Sequence, residues 1–377
     1  MLPSSFLLLP KHGSTPFTGI HRKAILLLFR HFLHDPFSEI SPKTQQGLQR
    51  LKPLLTLLAK KNSSALIGAL GHIDVSTNLR SAILRLRAPE PLLQKAIPIL
   101  LAQLPPSNEF FLWDIPTDAP PFGNIEALTY GPAGIEIKKE GSILSWHRPK
   151  MPHVLFENGP HLSLFDSNPL AQEEAHPDKD GNQISLGGKE ITAWMFSLRE
   201  ACHLIERSLP SWFHEFPRVL QRIVPVGFEP QKHLSASYQN AIGLAYLTLH
   251  PEATKMAEAI IHETQHNKLN ALFWLDPVLK NGESEWTSSP VRPDLRPLKG
   301  VLLAAHAFIP VAAFYRALLP SHPRLKSPLE HIMQQNEESL ATLHQKGEPT
   351  AIGQRLLSEM QELHNALKKN LFSSSSH

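Results

Sequence analysis

The stretch Ile242-Gly243-Leu244-Ala245-Tyr246-Leu247-Thr248-Leu249 runs through His250, Pro251 and Glu252 into Ala253-Thr254-Lys255-Met256-Ala257-Glu258-Ala259-Ile260-Ile261-His262-Glu263-Thr264-Gln265-His266. Its first eight residues, short and apolar, predict a strand. Pro251 and Glu252 then open a helix with proline in the first turn. Met256, Ala257, Ile260, Ile261, Thr264 and Leu269 supply that helix with an apolar stripe, and Pro277 ends it. A strand feeding directly into a helix is the placement a metal-binding helix needs. His262 and His266 are four residues apart, one turn on the same face, so both rings can aim at one ion. Glu263 is placed to accept a proton from a metal-bound water or to hold a ligand in position. The plainer alternative is a helix carrying two solvated or core histidines.

Outward from this unit the pattern predicts an α+β protein, helix-rich, with the motif helix beside a small sheet. Residues 22–32, 43–60 and 91–104 have apolar positions at helical spacing, so residues 1–105 read as a helical N-terminal region. Residues 106–190 read as short strands and long loops, with strands at 135–138 and 142–146 around a Lys139-Glu140-Gly141 turn and a short strand at 162–165. Residues 191–320 form the metal domain: a helix at 191–209, a strand at 220–227, the motif unit, a basic Pro-rich loop at 290–297, and a helix from 298 that Pro310 kinks or divides. Residues 321–377 read as C-terminal helices at 328–343 and 351–371, then a disordered Ser-rich tail. The 34 prolines predict short elements with few long uninterrupted helices.

Composition narrows the function classes. A formal charge of +3 with 42% hydrophobic residues is that of an ordinary globular chain. Neither zinc-finger spacing nor an RNA-binding aromatic signature is present, which argues against a nucleic-acid partner. The single cysteine, Cys202, excludes an intramolecular disulfide and fits a reducing compartment, so a cytoplasmic protein is expected. The residue 6–9 run lacks the features of a leader, and no window approaches the length needed to span a bilayer.

A catalytic ion wants a third protein ligand and an open position. His306 is the better candidate, a polar ring in the otherwise apolar run 301–308, although a hydrogen-bonded core histidine is the usual reading of such a residue. Glu283 and Glu285 lie where a peptidase of another type brings a carboxylate. Arg292 and Arg296, flanking Pro293 and Pro297, are suited to bidentate capture of a carboxylate, and two solvated loop arginines fit the spacing equally. Asp178-Lys179-Asp180-Gly181-Asn182 departs from a calcium loop at Gln183 and reads as a polar turn. Adjacent Cys202 and His203 point apart on a helix, so a buried structural thiol is expected. His31 and His34 lack a third ligand, and Trp286 and Tyr238 are aromatic residues able to line a peptide groove.

The motif His262-Glu263-Thr264-Gln265-His266-Asn267-Lys268-Leu269-Asn270-Ala271-Leu272, followed by Arg296-Pro297-Leu298-Lys299-Gly300-Val301-Leu302 and His306-Ala307-Phe308, carries a resemblance. It resembles the bacterial HExxH domain found with peptide-modification gene clusters, part of which is known as 2-oxoglutarate-dependent peptide β-hydroxylases. Ser235-Ala236-Ser237 and Gly243-Leu244-Ala245-Tyr246-Leu247 also resemble its upstream pattern, and the likeness covers roughly residues 220–320.

The resemblance implies Fe(II) held by His262, His266 and His306, with positions left for bidentate 2-oxoglutarate and O2. It implies Arg296, with Arg292 second, for the distal carboxylate of 2-oxoglutarate, and Glu263 as a proton-handling or supporting group. The implied substrate is a ribosomally synthesised precursor peptide, hydroxylated at a side-chain β-carbon, able to add along the strand 242–249 through main-chain hydrogen bonds. Imidazoles with open sites suit Zn²⁺ as well as Fe(II). Two alternatives therefore stand beside the oxygenase: a zinc metallopeptidase using Glu263 as general base, and a non-catalytic peptide-binding partner of a modification complex.

Overall fold

A computed structural model describes residues 7–103, 127–131, 134–139, 142–146, 154–156, 159–166, 168–173, 175–176, 179–290 and 294–372. The helices are α1 (Pro16–His34), α2 (Pro42–Lys61), α3 (Ser63–Leu70), α4 (Ile73–Ile83), α5 (Pro89–Gln103), α6 (Ile191–Ser208), α7 (Pro210–Val219), α8 (Ala253–Phe273), α9 (Leu298–Leu318), α10 (Lys326–Lys346) and α11 (Ala351–Phe372). The strands are β1 (Ala127–Gly131), β2 (Gly134–Lys139), β3 (Ser142–Trp146), β4 (His161–Leu162), β5 (Ala175–His176), β6 (Lys179–Asp180), β7 (Arg222–Phe228), β8 (Ser235–Ala236), β9 (Leu244–Leu249), β10 (Trp286–Ser288) and β11 (Leu295–Pro297). Helix predominates over small sheets, so the chain is α+β.

Two compact units divide the chain, and their limits do not follow the four consecutive segments read from the sequence. One gathers Met1–Ile20, His153–Leu164 and Ile184–His377; the other gathers His21–Pro152 and Phe165–Gln183. The second unit holds α2 to α5, most of α1, the antiparallel sheet β1-β2-β3 and the β5-β6 pair. In the first unit β4, β7 and β9 run parallel, and β8 closes the sheet antiparallel to β9. Every residue of β9 is buried, because β7 and β8 flank it. Strand addition along 242–249 is therefore corrected: both sides of β9 already carry partners. Helices α6, α8, α9 and α10 pack in series, with α11 against α9 and α10.

Proline does not shorten the helices as expected. Pro53, Pro98, Pro217 and Pro310 lie inside α2, α5, α7 and α9, and α2 and α9 run 20 and 21 residues. An internal proline costs one N–H and disturbs the carbonyl four residues earlier. Tertiary packing of an apolar face supplies most of a helix's stability and offsets that cost. The basic loop at 290–297 is also corrected in part: Leu295, Arg296 and Pro297 form β11, paired antiparallel with β10. Arg292, the Glu140-Gly141 part of the predicted turn, Asp178 and the Ser-rich tail lie outside the described residues.

Helix α9 corrects a further expectation. Among the described residues it is the one helix long and apolar enough to cross a membrane, and 78% of that apolar window is buried in the structure. Val301, Leu302, Ile309, Val311 and Phe314 join the core shared with Ile260, Ile261 and Leu269 of α8. Full burial of one such side chain contributes about 1.5–3 kcal/mol.

Candidate metal centre

The turn between β9 and α8 is ordered by His250, whose Nδ1 accepts from the Glu252 N–H at 3.0 Å. Gly243, at φ +96°, opens β9 in a conformation that favours glycine. Its N–H donates to Asn267 Oδ1 at 2.6 Å, while Asn267 Nδ2 donates to the Leu244 and Glu263 carbonyls at 3.1 and 2.9 Å. One buried amide thereby fixes the start of the strand against the helix that follows it.

The His262, Glu263 and His266 side chains each offer a ligand atom, and these atoms lie within 4.8 Å of one another. The two rings meet edge-on with centroids 4.3 Å apart, and Phe308 of α9 packs against His262 at 4.7 Å. Both imidazoles are partly exposed, whereas Glu263 is buried. Ser235 of β8 donates to Glu263 Oε1 at 2.6 Å. Glu263 Oε2 and His266 Nδ1 are buried with no hydrogen-bond partner. Orphaned buried polar atoms are costly, and a divalent ion or its bound water would satisfy this set. Nitrogen donors beside a carboxylate fit Zn²⁺ and Fe(II) alike. Burial, followed by the charges of His262, His306 and Arg296, holds the His266 pKa well below the ordinary imidazole value, keeping its lone pair available.

The remaining predicted residues divide. His306 is fully buried, the Gln265 backbone bears on its ring, and it stands outside the three-residue cluster. Burial first, then the Lys268 charge, lowers its pKa to about 3. Arg296 sits on β11 beside Asp294, 3.5 Å away, and its charge reaches His266. Its side chain passes Gly300, where a Cβ would meet Arg296 Cβ at 3.6 Å. Glu283 and Glu285 are drawn elsewhere, to Lys299 at 2.6 Å and Lys346 at 3.6 Å. The Cys202 thiol is buried, which pushes its pKa up to about 12.

Behind the centre, motif residues that are not ligands anchor the helix. Lys268 forms a wholly buried ion pair with Glu215 of α7 at 2.8 Å, and Glu215 also accepts from the Phe17 N–H at 2.7 Å. Gln265 accepts from Trp212 Nε1 at 3.0 Å and donates to the Leu7 carbonyl at 3.2 Å. Gln265 Nε2 also reaches the His306 carbonyl, at 3.5 Å. That carbonyl lies four residues before Pro310, which has no N–H to give it. Gln265 therefore serves the backbone acceptor that the proline leaves.

His233 is the residue that sequence reasoning missed. It precedes Ser235 by two positions, and alternation along an extended segment turns both toward one side. The ladder reaches this far, since the Thr248 N–H donates to the Leu234 carbonyl at 2.9 Å. The His233 ring lies 6.4 Å from that of His250, and its Nε2 is buried without a partner. Burial, followed by the His250 and Lys255 charges, lowers its pKa to about 3, and the His262 charge reaches it as well. The signal available in sequence was the alternation of His233 and Ser235. Comparison with known protein-family models and with curated proteins returned no match.

Proposed function

We propose that the chain is an Fe(II)- and 2-oxoglutarate-dependent dioxygenase that hydroxylates a side-chain β-carbon of a ribosomally made precursor peptide in the cytoplasm. The observation that carries the reading is the pair His262 and His266 beside a carboxylate, with Glu263 Oε2 and His266 Nδ1 buried and unpartnered. His262 and His266 hold the ion, and His306, by resemblance, offers the third nitrogen. Iron, when bound with 2-oxoglutarate and O2, supplies the oxidising chemistry at the substrate carbon. Arg296 binds the distal carboxylate of 2-oxoglutarate through a charge-assisted pair, with Arg292 the second candidate for that role. Glu263, held by Ser235, orients the ion's surroundings and handles a proton at Oε2. Phe308 against His262 restricts the water reaching that ring.

The Ser235 bond favours one second reading. It occupies Oε1 of Glu263 and leaves Oε2 for a metal-bound water, the arrangement a zinc peptidase asks of its general base. Conversion of 2-oxoglutarate to succinate by the Fe(II)-loaded protein supports the oxygenase. Peptide cleavage by the zinc form without 2-oxoglutarate supports the peptidase. Failure to bind either metal leaves a non-catalytic peptide-binding role.

A further inference from the structure

Helices α1 and α2 together contain Arg22, Lys23, Arg30, Lys43, Arg50, Lys52, Lys60 and Lys61 and no aspartate or glutamate. The nearest carboxylates in the connecting segment are already used: Asp35 and Glu39 pair with Arg85 at 2.8 and 3.2 Å. On α1 the positions Lys23, Leu26, Arg30, Leu33 and His34 recur at helical spacing. On α2 the same spacing joins Arg50, Pro53, Leu57, Lys60 and Lys61. Each helix thus carries a stripe that mixes cations with apolar side chains. Leu26 and Leu57 are 43% and 48% exposed, and Arg30, Lys60 and Lys61 are exposed beside them. Between the stripes lies an open groove of about 420 Å³ lined by Leu33, Pro53 and Leu57 together with His34, Lys52 and Lys60.

We propose that this groove docks an acidic amphipathic peptide segment. Its carboxylates meet Arg30, Lys60 and Lys61, and its apolar side chains enter between Leu33 and Leu57. The commitment to a peptide follows from the lining. A basic amphipathic surface attracts any polyanion. A concave apolar floor, however, accepts projecting side chains, which a flat bilayer does not present and a phosphate backbone does not carry. The one ring among the lining residues is the His34 imidazole, with no phenylalanine, tyrosine or tryptophan to stack successive bases. Lys52 is structural: its Nζ donates to the Asp35 carbonyl at 2.6 Å and lies over the rings of Phe32 and Phe37. Recognition therefore falls to the exposed cations around it, and the proposal does not depend on the metal reading.

The test is fluorescence anisotropy of the full-length protein with a labelled helical peptide of alternating Leu and Glu, and with its counterpart carrying Lys for Glu. The Glu peptide is expected to bind saturably and the Lys peptide not. Arg30→Glu/Lys60→Glu/Lys61→Glu is expected to weaken binding by about tenfold or more, and rising salt to weaken it in step. Leu57→Ser is expected to weaken binding at unchanged charge, since the apolar contact is lost. If the triple variant fails to fold, Lys60→Glu alone and the salt dependence carry the same comparison. Equal binding of both peptides, or of wild type and both variants, overturns the proposal. So does preferential binding of a single-stranded oligonucleotide or of phosphatidylglycerol vesicles, which assigns the face to a phosphate polyanion.

Discussion

Glu263 has two oxygens in different situations, one held by Ser235 and one buried without a partner, and the two proposed mechanisms ask different things of it. In a peptidase, loss of the carboxylate removes the base, and Glu263→Gln costs orders of magnitude in rate. In an oxygenase, Glu263→Gln retains measurable turnover, while Arg296→Ala sharply raises the 2-oxoglutarate concentration required. Steady-state kinetics of both variants against 2-oxoglutarate check this pair of outcomes. The imidazoles give a second expectation. His262 and His266 are partly exposed on a helix whose other faces are packed, so His262→Ala and His266→Ala each lose tight metal binding while the melting temperature of the apo-protein stays near wild type. Equilibrium dialysis with metal analysis and a thermal melt read the two effects separately.

At the scale of the element, α8 is held by bonds that a pattern of apolar residues does not announce. Lys268→Met leaves Glu215 buried without its cation, and breaking such a pair costs about 3–5 kcal/mol. Lys268→Met/Glu215→Leu removes both charges and is expected to recover much of that loss, as urea denaturation of the single and double variants will measure. Gln265→Leu orphans Trp212 Nε1 and the His306 carbonyl, for about 1–3 kcal/mol. The strand-to-helix unit is legible because β9 is a short apolar run and α8 carries apolar residues at helical spacing, although α8 also buries Gln265, Asn267 and Lys268. Helix α4 is not, because Asp74, Ser76, Thr77, Asn78 and Ser81 are buried in it, and polar residues ordinarily mark an exposed face. At Pro310 the sequence predicts a kink or division of α9, since it does not reveal that Gln265, 41 positions away, serves the freed carbonyl. His233 escaped notice for the same kind of reason: its neighbours in space come from β9 and α8.

Across the whole molecule the chain leaves and re-enters each unit, so neither is a contiguous segment that composition alone could mark off. His21, half-buried in one of these units, has a thermodynamic consequence. Burial lowers the His21 pKa from 6.5 to about 4 in the folded protein. The unfolded chain therefore binds this proton more readily between those values, and stability present above about pH 6.5 declines as pH falls toward about 4. His21→Phe is expected to flatten that part of the profile, as urea midpoints of variant and wild type at successive pH values will register. The metal centre depends on how β8, β9, α8 and α9 come together. The most direct measurement is succinate formation from 2-oxoglutarate by the Fe(II)-reconstituted protein, compared with His266→Ala prepared in the same way. Iron-dependent succinate is expected in the wild type and none in the variant. Metal binding without any succinate, together with peptide cleavage by the zinc form that Glu263→Gln abolishes, would contradict the oxygenase reading.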